Sequence, residues 1–114
     1  MAHDCLFCKI AAGEIPSSKV YEDEHVLAFR DINPVAPVHV LVIPRQHLAS
    51  VAEIGPEHAD LLARLFAAVQ RVAAETGVAE TGYRVVTNTG RDAGQQVFHL
   101  HLHVLGGRSL GPVA

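Results

Sequence analysis

The chain is poor in the features that mark whole classes of protein. Its nine Lys and Arg residues are scattered along the sequence, so there is no clustered basic face for a nucleic-acid backbone. No apolar run approaches the ~20 residues needed to cross a bilayer. The opening "MAHDCLFCKI" has neither the basic start nor the long apolar stretch of a secretory signal, and a cytoplasmic address is the resulting expectation. Internal repeats, low-complexity tracts and linkers are missing too. Only two cysteines occur, Cys5 and Cys8, as one C-x-x-C. In a reducing compartment that spacing points to redox chemistry or a metal before a structural disulfide. A thioredoxin-like motif should follow a strand and open a long helix, and here no strand pattern precedes it. What is present, 114 residues with 49% apolar and 18% charged content and a net charge of -3, fits one folded domain.

Hydrophobic periodicity divides that domain into elements. Within "EDEHVLAFRDINP", Val26, Ala28 and Arg30 alternate with Leu27, Phe29 and Asp31, which predicts a strand ended by Asn33-Pro34. The β-branched run "PVHVLVIP", bounded by Pro37 and Pro44, predicts a buried strand. "GPEHADLLARLFAAVQRVAAETG" has the helical period, with Leu61, Leu62, Leu65, Phe66, Val69, Val72 and Ala73 on one face. Pro56 suits its first position, Glu57 and Asp60 its positive end, and Gly77 its stop. "YRVVTN" predicts a further strand, "TGRDAGQQ" a loop, and "VFHLHLHVL" a last strand over 97–105. Strands that follow one another without intervening helices indicate an antiparallel sheet with helical cover, an α+β fold.

The last segment carries the chemistry. Side chains alternate across a strand, so His99, His101 and His103 share one face and Leu100, Leu102 and Val104 the other. If the leucines are buried, the three imidazoles project together. A polar strand face has little need of three identical rings. Two chemical uses remain open: His-x-His chelation of zinc with a further ligand from elsewhere, or direct use of a neutral imidazole as nucleophile or acid–base group. The preceding "NTGRDAGQQ" supplies Asn88, Gly90, Gly94, Gln95 and Gln96. Small residues and amide donors of this kind suit a phosphate without demanding a metal.

With these residues in view, the chain resembles the histidine triad family, whose motif His-φ-His-φ-His-φ-φ (φ apolar) is matched at every position by "HLHLHVL", 99–105. "CLFCKIAAGEIPSSKVYED", "AFRDINPVAPVHVLVIPRQH", "GYRVVTNTG" and "GQQVFHLHLHVLGGR" are similar to family segments too. "GGR" after the triad is closer to the nucleoside-phosphoramidase branch than to branches acting on dinucleoside polyphosphates. The resemblance implies a fold of about five antiparallel strands with one long and one short helix. It also implies a homodimer in which two sheets join into one of about ten strands, and a purine nucleotide ligand with cleavage at the α-phosphorus.

Site residues follow from the same resemblance. His101 would attack phosphorus and form a nucleotidyl-histidine that water resolves, with no cofactor needed for catalysis. His103 would meet the phosphate or leaving group, His39 would complete the imidazole cluster, and a carbonyl near His99 would orient His101. Asn88, Gly94, Gln95 and Gln96 would bind the phosphate, Asp31 the ribose hydroxyls, and Ile32, Phe7 and Phe29 the base. For those three apolar residues, core packing is an equal expectation. Gln96 departs from the small hydroxyl residue many relatives carry, and the tail "SLGPVA" has no tryptophan. Cys5, Cys8, His47 and His99 would hold a structural Zn²⁺, the competing reading being two small buried cysteines. His3, His25 and His58 are expected at the solvated surface. Two other functions stay open: a zinc hydrolase built on His99 and His101, and a nucleotide- or partner-binding module without turnover.

Overall fold

The computed structural model describes residues 5–113; His3 lies outside them. A short helix α1 (Leu6–Ala11) precedes β1 (Lys19–Glu22), β2 (Val26–Arg30) and β3 (Val38–Pro44), then α2 (Ala59–Glu75), β4 (Tyr83–Val86) and β5 (Leu102–Gly106). The strands form one antiparallel sheet in the order β1-β2-β3-β5-β4. This is the expected α+β architecture of five strands, one long helix and one short one. No helix among the described residues is long and apolar enough to cross a membrane.

Both faces of the sheet are covered, and the period of two decides what lies where. From β2, β3 and β5, the residues Val26, Ala28, Val40, Val42, Leu102 and Val104 turn to α2, where Leu65, Ala68, Val69 and Val72 meet them. The alternate residues Leu27, Phe29, Leu41 and Ile43 turn the other way, onto Phe7 and Ile10 of α1. Arg45 fastens α1 to the sheet by donating to the Ala11 carbonyl (2.6 Å) while bonding Glu22 at the end of β1 and the Asp23 carbonyl just after it.

Four expectations are revised. Phe66, placed on the buried helical stripe, is half exposed, and Ala68 takes its place. The first turn of the long helix, Pro56–His58, is a 3₁₀ turn rather than α-helix. His58 is not a free surface residue, because its Nδ1 accepts the Gly55 N–H at 2.9 Å. The last strand starts at Leu102, not at residue 97. The register Val42↔Leu102 would bring Leu100 opposite Pro44, which has no N–H to donate. The ladder stops there, and Val97–His101 is held instead by one main-chain bond, Leu100 N–H to the Leu48 carbonyl (2.6 Å). Side-chain alternation nonetheless continues through it, with Leu100 in the α2 core.

Candidate active site

The end of the ladder at Pro44 separates the three triad histidines into different surroundings. His99 is fully buried. Its Nε2 lies 2.8 Å from the Pro44 carbonyl, so Nε2–H donates and Nδ1 carries the lone pair. That lone pair faces Cys5 Sγ at 3.3 Å and Cys8 Sγ at 3.4 Å. Cys8 Sγ is also 3.2 Å from His47 Nδ1. The four atoms lie within 4.8 Å of one another. Zinc–sulfur and zinc–nitrogen bonds in a tetrahedron separate ligand atoms by about 3.3–3.8 Å, so two thiols and two imidazoles are already near that spacing. The Pro44 carbonyl fixes the His99 tautomer in the manner of outer partners around zinc-bound histidines. Burial and the neighbouring Cys5 push the Cys8 thiol up to about 11, which leaves it neutral at pH 7 until a cation opposes that shift.

His101 makes a different bond. Its Nδ1 is 2.7 Å from the His99 carbonyl, which places the proton on Nδ1 and leaves Nε2 as a bare acceptor. The ring is buried edge-on against Phe7 (centroids 5.1 Å, interplanar angle 87°) and lines a cavity of about 310 Å³. Asn88, Gly94, Gln95, Gln96, His103 and Asp31 line the same cavity. Asn88, Gly94, Gln95 and Gln96, which the resemblance assigns to the phosphate, are therefore gathered in one place with His101 and His103, while Gly90 stands outside this lining.

His103 and His39 form the third environment. Leu41 pairs with His103 across β3 and β5, so His39, two residues before Leu41, shares that face. The Val35 N–H donates to His39 Nδ1 (3.1 Å), so the proton of neutral His39 resides on Nε2. That nitrogen lies 2.9 Å from His103 Nδ1 and 3.4 Å from Asp31 Oδ2. His103 Nδ1 thus accepts, and its own proton sits on Nε2. Burial lowers both pKa values, with Asp31 opposing the shift in each; neighbouring His101 and His39 help to bring His103 to about 4. Burial also lowers His99, against the pull of the Pro44 carbonyl. At pH 7 these three rings are neutral.

Asp31, His39 and His103 have the spacing of a metal group, but the bond from Val35 argues against that use. A neutral His39 whose Nδ1 is an acceptor has a proton, not a lone pair, on Nε2. Nor do His99 and His101 aim ring nitrogens at one point, since one turns to the cysteines and the other is held by the His99 carbonyl.

Beside the polar cavity lies an apolar one of about 350 Å³, and Phe7, Asp31, Leu41 and Val97 border both. Phe29 and Ile32 join its lining. Phe7 and Phe29 are core and cavity wall at once, their rings edge to face at 5.5 Å. Ile32 is 91% exposed and lies at the cavity without being part of the core. Asp31, with Oδ1 holding the Asn33 N–H at 2.8 Å, stands where the polar and apolar spaces meet.

The glycine-rich loop differs from expectation in how it uses its donors. Gly90 N–H donates to Gln95 Oε1 and Gly94 N–H to the Arg91 carbonyl, so neither glycine amide is spare. A Cβ on Gly94 would meet nothing within 4 Å; its φ of +88° is what calls for glycine. Asn88 and Gln96 bring side-chain amides to the cavity lining, beside His103. Leu41, Val97, Pro16, Ser17 and Ser18 also line the two cavities, beyond the residues expected there. Leu41 was findable, since it lies one period of two from His39; the others sit on irregular chain, where no periodicity points. His25 is exposed, as expected.

Comparison with known proteins follows the same line. The HIT domain family model matches residues 12–110. The chain is 47% identical over 113 residues to the purine nucleoside phosphoramidase of Escherichia coli (strain K12), covering 99% of this chain and 95% of that protein. A HIT family hydrolase from Clostridium thermocellum superposes with a TM-score of 0.93 at 54% identity, covering 96% of this chain and 95% of that one. A histidine triad protein from Clostridium difficile gives a TM-score of 0.93 at 50% identity, covering 97% and 96%.

Proposed function

Since the chain belongs to the HIT domain family, we propose that it hydrolyses purine nucleoside 5′-phosphoramidates or related nucleotidyl conjugates at the α-phosphorus, through a covalent nucleotidyl-His101. The observation that carries this reading is the bond from His101 Nδ1–H to the His99 carbonyl, which leaves Nε2 as a lone pair at the polar cavity. The phosphoramidase name of a relative 47% identical supports the substrate class, as does an apolar slot next to a polar one.

The steps use this chain's own groups. The base enters the apolar cavity beside Phe7, Phe29 and Ile32, and the Asp31 carboxylate accepts from the ribose hydroxyls. Asn88 and Gln96 donate to the phosphoryl oxygens and offset charge that grows in the transition state. His101 Nε2 then forms a bond to phosphorus as the bond to the leaving amine breaks. The departing amine takes its proton from solvent water, while His103 Nε2–H, held in that tautomer by the His39 Nε2–H bond, donates a hydrogen bond to the phosphate. The imidazolium formed at His101 keeps its Nδ1–H on the His99 carbonyl. Water next attacks phosphorus as the bond to His101 Nε2 breaks, its proton passing to solvent, which releases the nucleoside monophosphate and restores the Nε2 lone pair. Two easier displacements replace one difficult one.

We assign Cys5, Cys8, His47 and His99 to a structural zinc. When bound, the ion would hold α1 against the chain around residue 47 by a closed tetrahedral set of ligands, leaving none open for substrate. A second copy of the chain joining sheet to sheet, as the family resemblance implies, is proposed on the same footing; sedimentation analysis at micromolar concentration should give the mass of two chains.

Adenosine 5′-phosphoramidate tests the function. With no added metal the protein should release AMP, and His101→Ala should not. Full turnover by His101→Ala would refute the nucleophile, and AMP binding with no turnover by the intact triad would favour a binding module. Chelation that stops turnover while the fold persists by circular dichroism would point to metal-dependent hydrolysis instead.

A further inference from the structure

Gln95 precedes the triad by four residues, and its position in the polar cavity suggests an amide donor to the phosphate. Its bonds show otherwise. It is 9% exposed, and both hydrogens of its amide nitrogen are used, on the Ala49 carbonyl (2.8 Å) and the Val97 carbonyl (3.2 Å). Oε1 accepts the Gly90 N–H at 2.9 Å, and the Gln95 main-chain N–H returns to the Gly90 carbonyl at 3.1 Å. Gly90 and Gln95 therefore close a ring around the turn Arg91–Ala93, and every proton of the Gln95 amide groups is committed inside the chain.

The partners of these bonds matter as much as their number. Ala49 belongs to the segment in which Leu48 holds Leu100 by its carbonyl (2.6 Å), and Leu100 lies between His99 and His101. Gln95 thus ties the loop bearing Asn88 and Gln96 to the same short segment that sets the height of the nucleophile.

We propose that Gln95 is a positioning residue: it fixes the loop that meets the phosphate relative to His101, without itself touching the ligand. The proposal rests on the nucleotide-binding reading above. It follows that loss of Gln95 weakens ligands according to whether they carry a phosphate. AMP uses the loop, whereas adenosine uses the apolar slot and Asp31 but has no group to place against Asn88 or Gln96.

The test is calorimetric binding of AMP and of adenosine to the full chain and to Gln95→Ala and Gln95→Glu. Gln95→Glu keeps the shape and the Oε1 acceptor, but directs a carboxylate at two carbonyls. The AMP dissociation constant should rise about tenfold in either variant, the scale of one or two buried hydrogen bonds, and that of adenosine should stay within twofold. Equal weakening of both ligands, or of neither, overturns the proposal. Should Gln95→Ala not fold, Gln95→Glu carries the same comparison. Hydrogen exchange at the Gly90 amide separates this inference from the reading it rests on. If the intact chain binds neither ligand, the function is wrong, while faster Gly90 exchange in the variants still supports the clamp and unchanged exchange refutes it.

Discussion

The two faces of one sheet make different uses of the same strands. Toward α2, Val26, Ala28, Val40, Val42, Leu102 and Val104 supply apolar side chains, most of them fully buried, and the helix covers them with more of the same. Toward α1, the odd positions begin as a core, Leu27, Phe29, Leu41 and Ile43, and then give way to His39, His99, His101 and His103, all but His103 also buried. The first face makes the fold stable. The second sets chemical groups in defined tautomers, by the Pro44 carbonyl for His99, the His99 carbonyl for His101, the Val35 N–H for His39 and His39 in turn for His103. Imidazoles withdrawn from water are held here by geometry rather than by charge.

Substitutions on the two faces should therefore separate activity from stability. On the chemical face, His101→Gln should lower turnover by about a thousandfold or more, as loss of a nucleophile does, with little change in melting temperature; rapid-quench kinetics and thermal melts read the two together. On the structural face, Leu65→Ala, at a fully buried position, should cost about 2–5 kcal/mol of stability. Urea titration measures that cost, and turnover per folded molecule should remain close to that of the parent. Comparable losses of turnover in both variants would erase the distinction.

A pH series sharpens the comparison further. Burial holds His103 at about 4, below the ordinary 6.5 of an exposed imidazole, so between those values the unfolded chain binds the proton more readily. Its contribution to stability is complete above pH 6.5 and is lost as the pH falls toward 4. Denaturation midpoints should accordingly decline across that window, and His103→Gln should flatten the part due to this ring. The smallest effect belongs to the rim. Ile32→Ala, at a residue 91% exposed, should leave the melting temperature unchanged and weaken AMP by about threefold, the scale of a partly buried side chain. A shift in melting temperature would place Ile32 in the core after all.

Much of the first face is legible in the sequence, because burial imposes a period. Alternation in "EHVLAFR" and "VHVLVIP" and the stripe through α2 require no knowledge of partners. Phe66 falls on the predicted stripe because several neighbouring positions of a helix lie near it, and only the sheet decides which of Phe66 and Ala68 faces it. The second face is legible in part. Alternation through "HLHLHVL" foretells that the imidazoles share a side, but not that each is buried beside a different partner. That depends on Pro44, which lies far away in sequence and ends the ladder by lacking one hydrogen. In the same way, a glycine-rich loop suggests free N–H groups for a phosphate, although here the loop consumes those of Gly90 and Gly94 in closing on itself. Partners distant along the chain leave no local pattern.

The claim that the bare Nε2 of His101 attacks phosphorus is open to one direct measurement. Protein quenched in acid during turnover of adenosine 5′-phosphoramidate, digested and analysed by mass spectrometry, should carry an adenylyl group on the peptide containing His101, with fragmentation locating it on that ring. Adenylyl on His99 or His103, or turnover with no adduct at any quench time, would contradict the account.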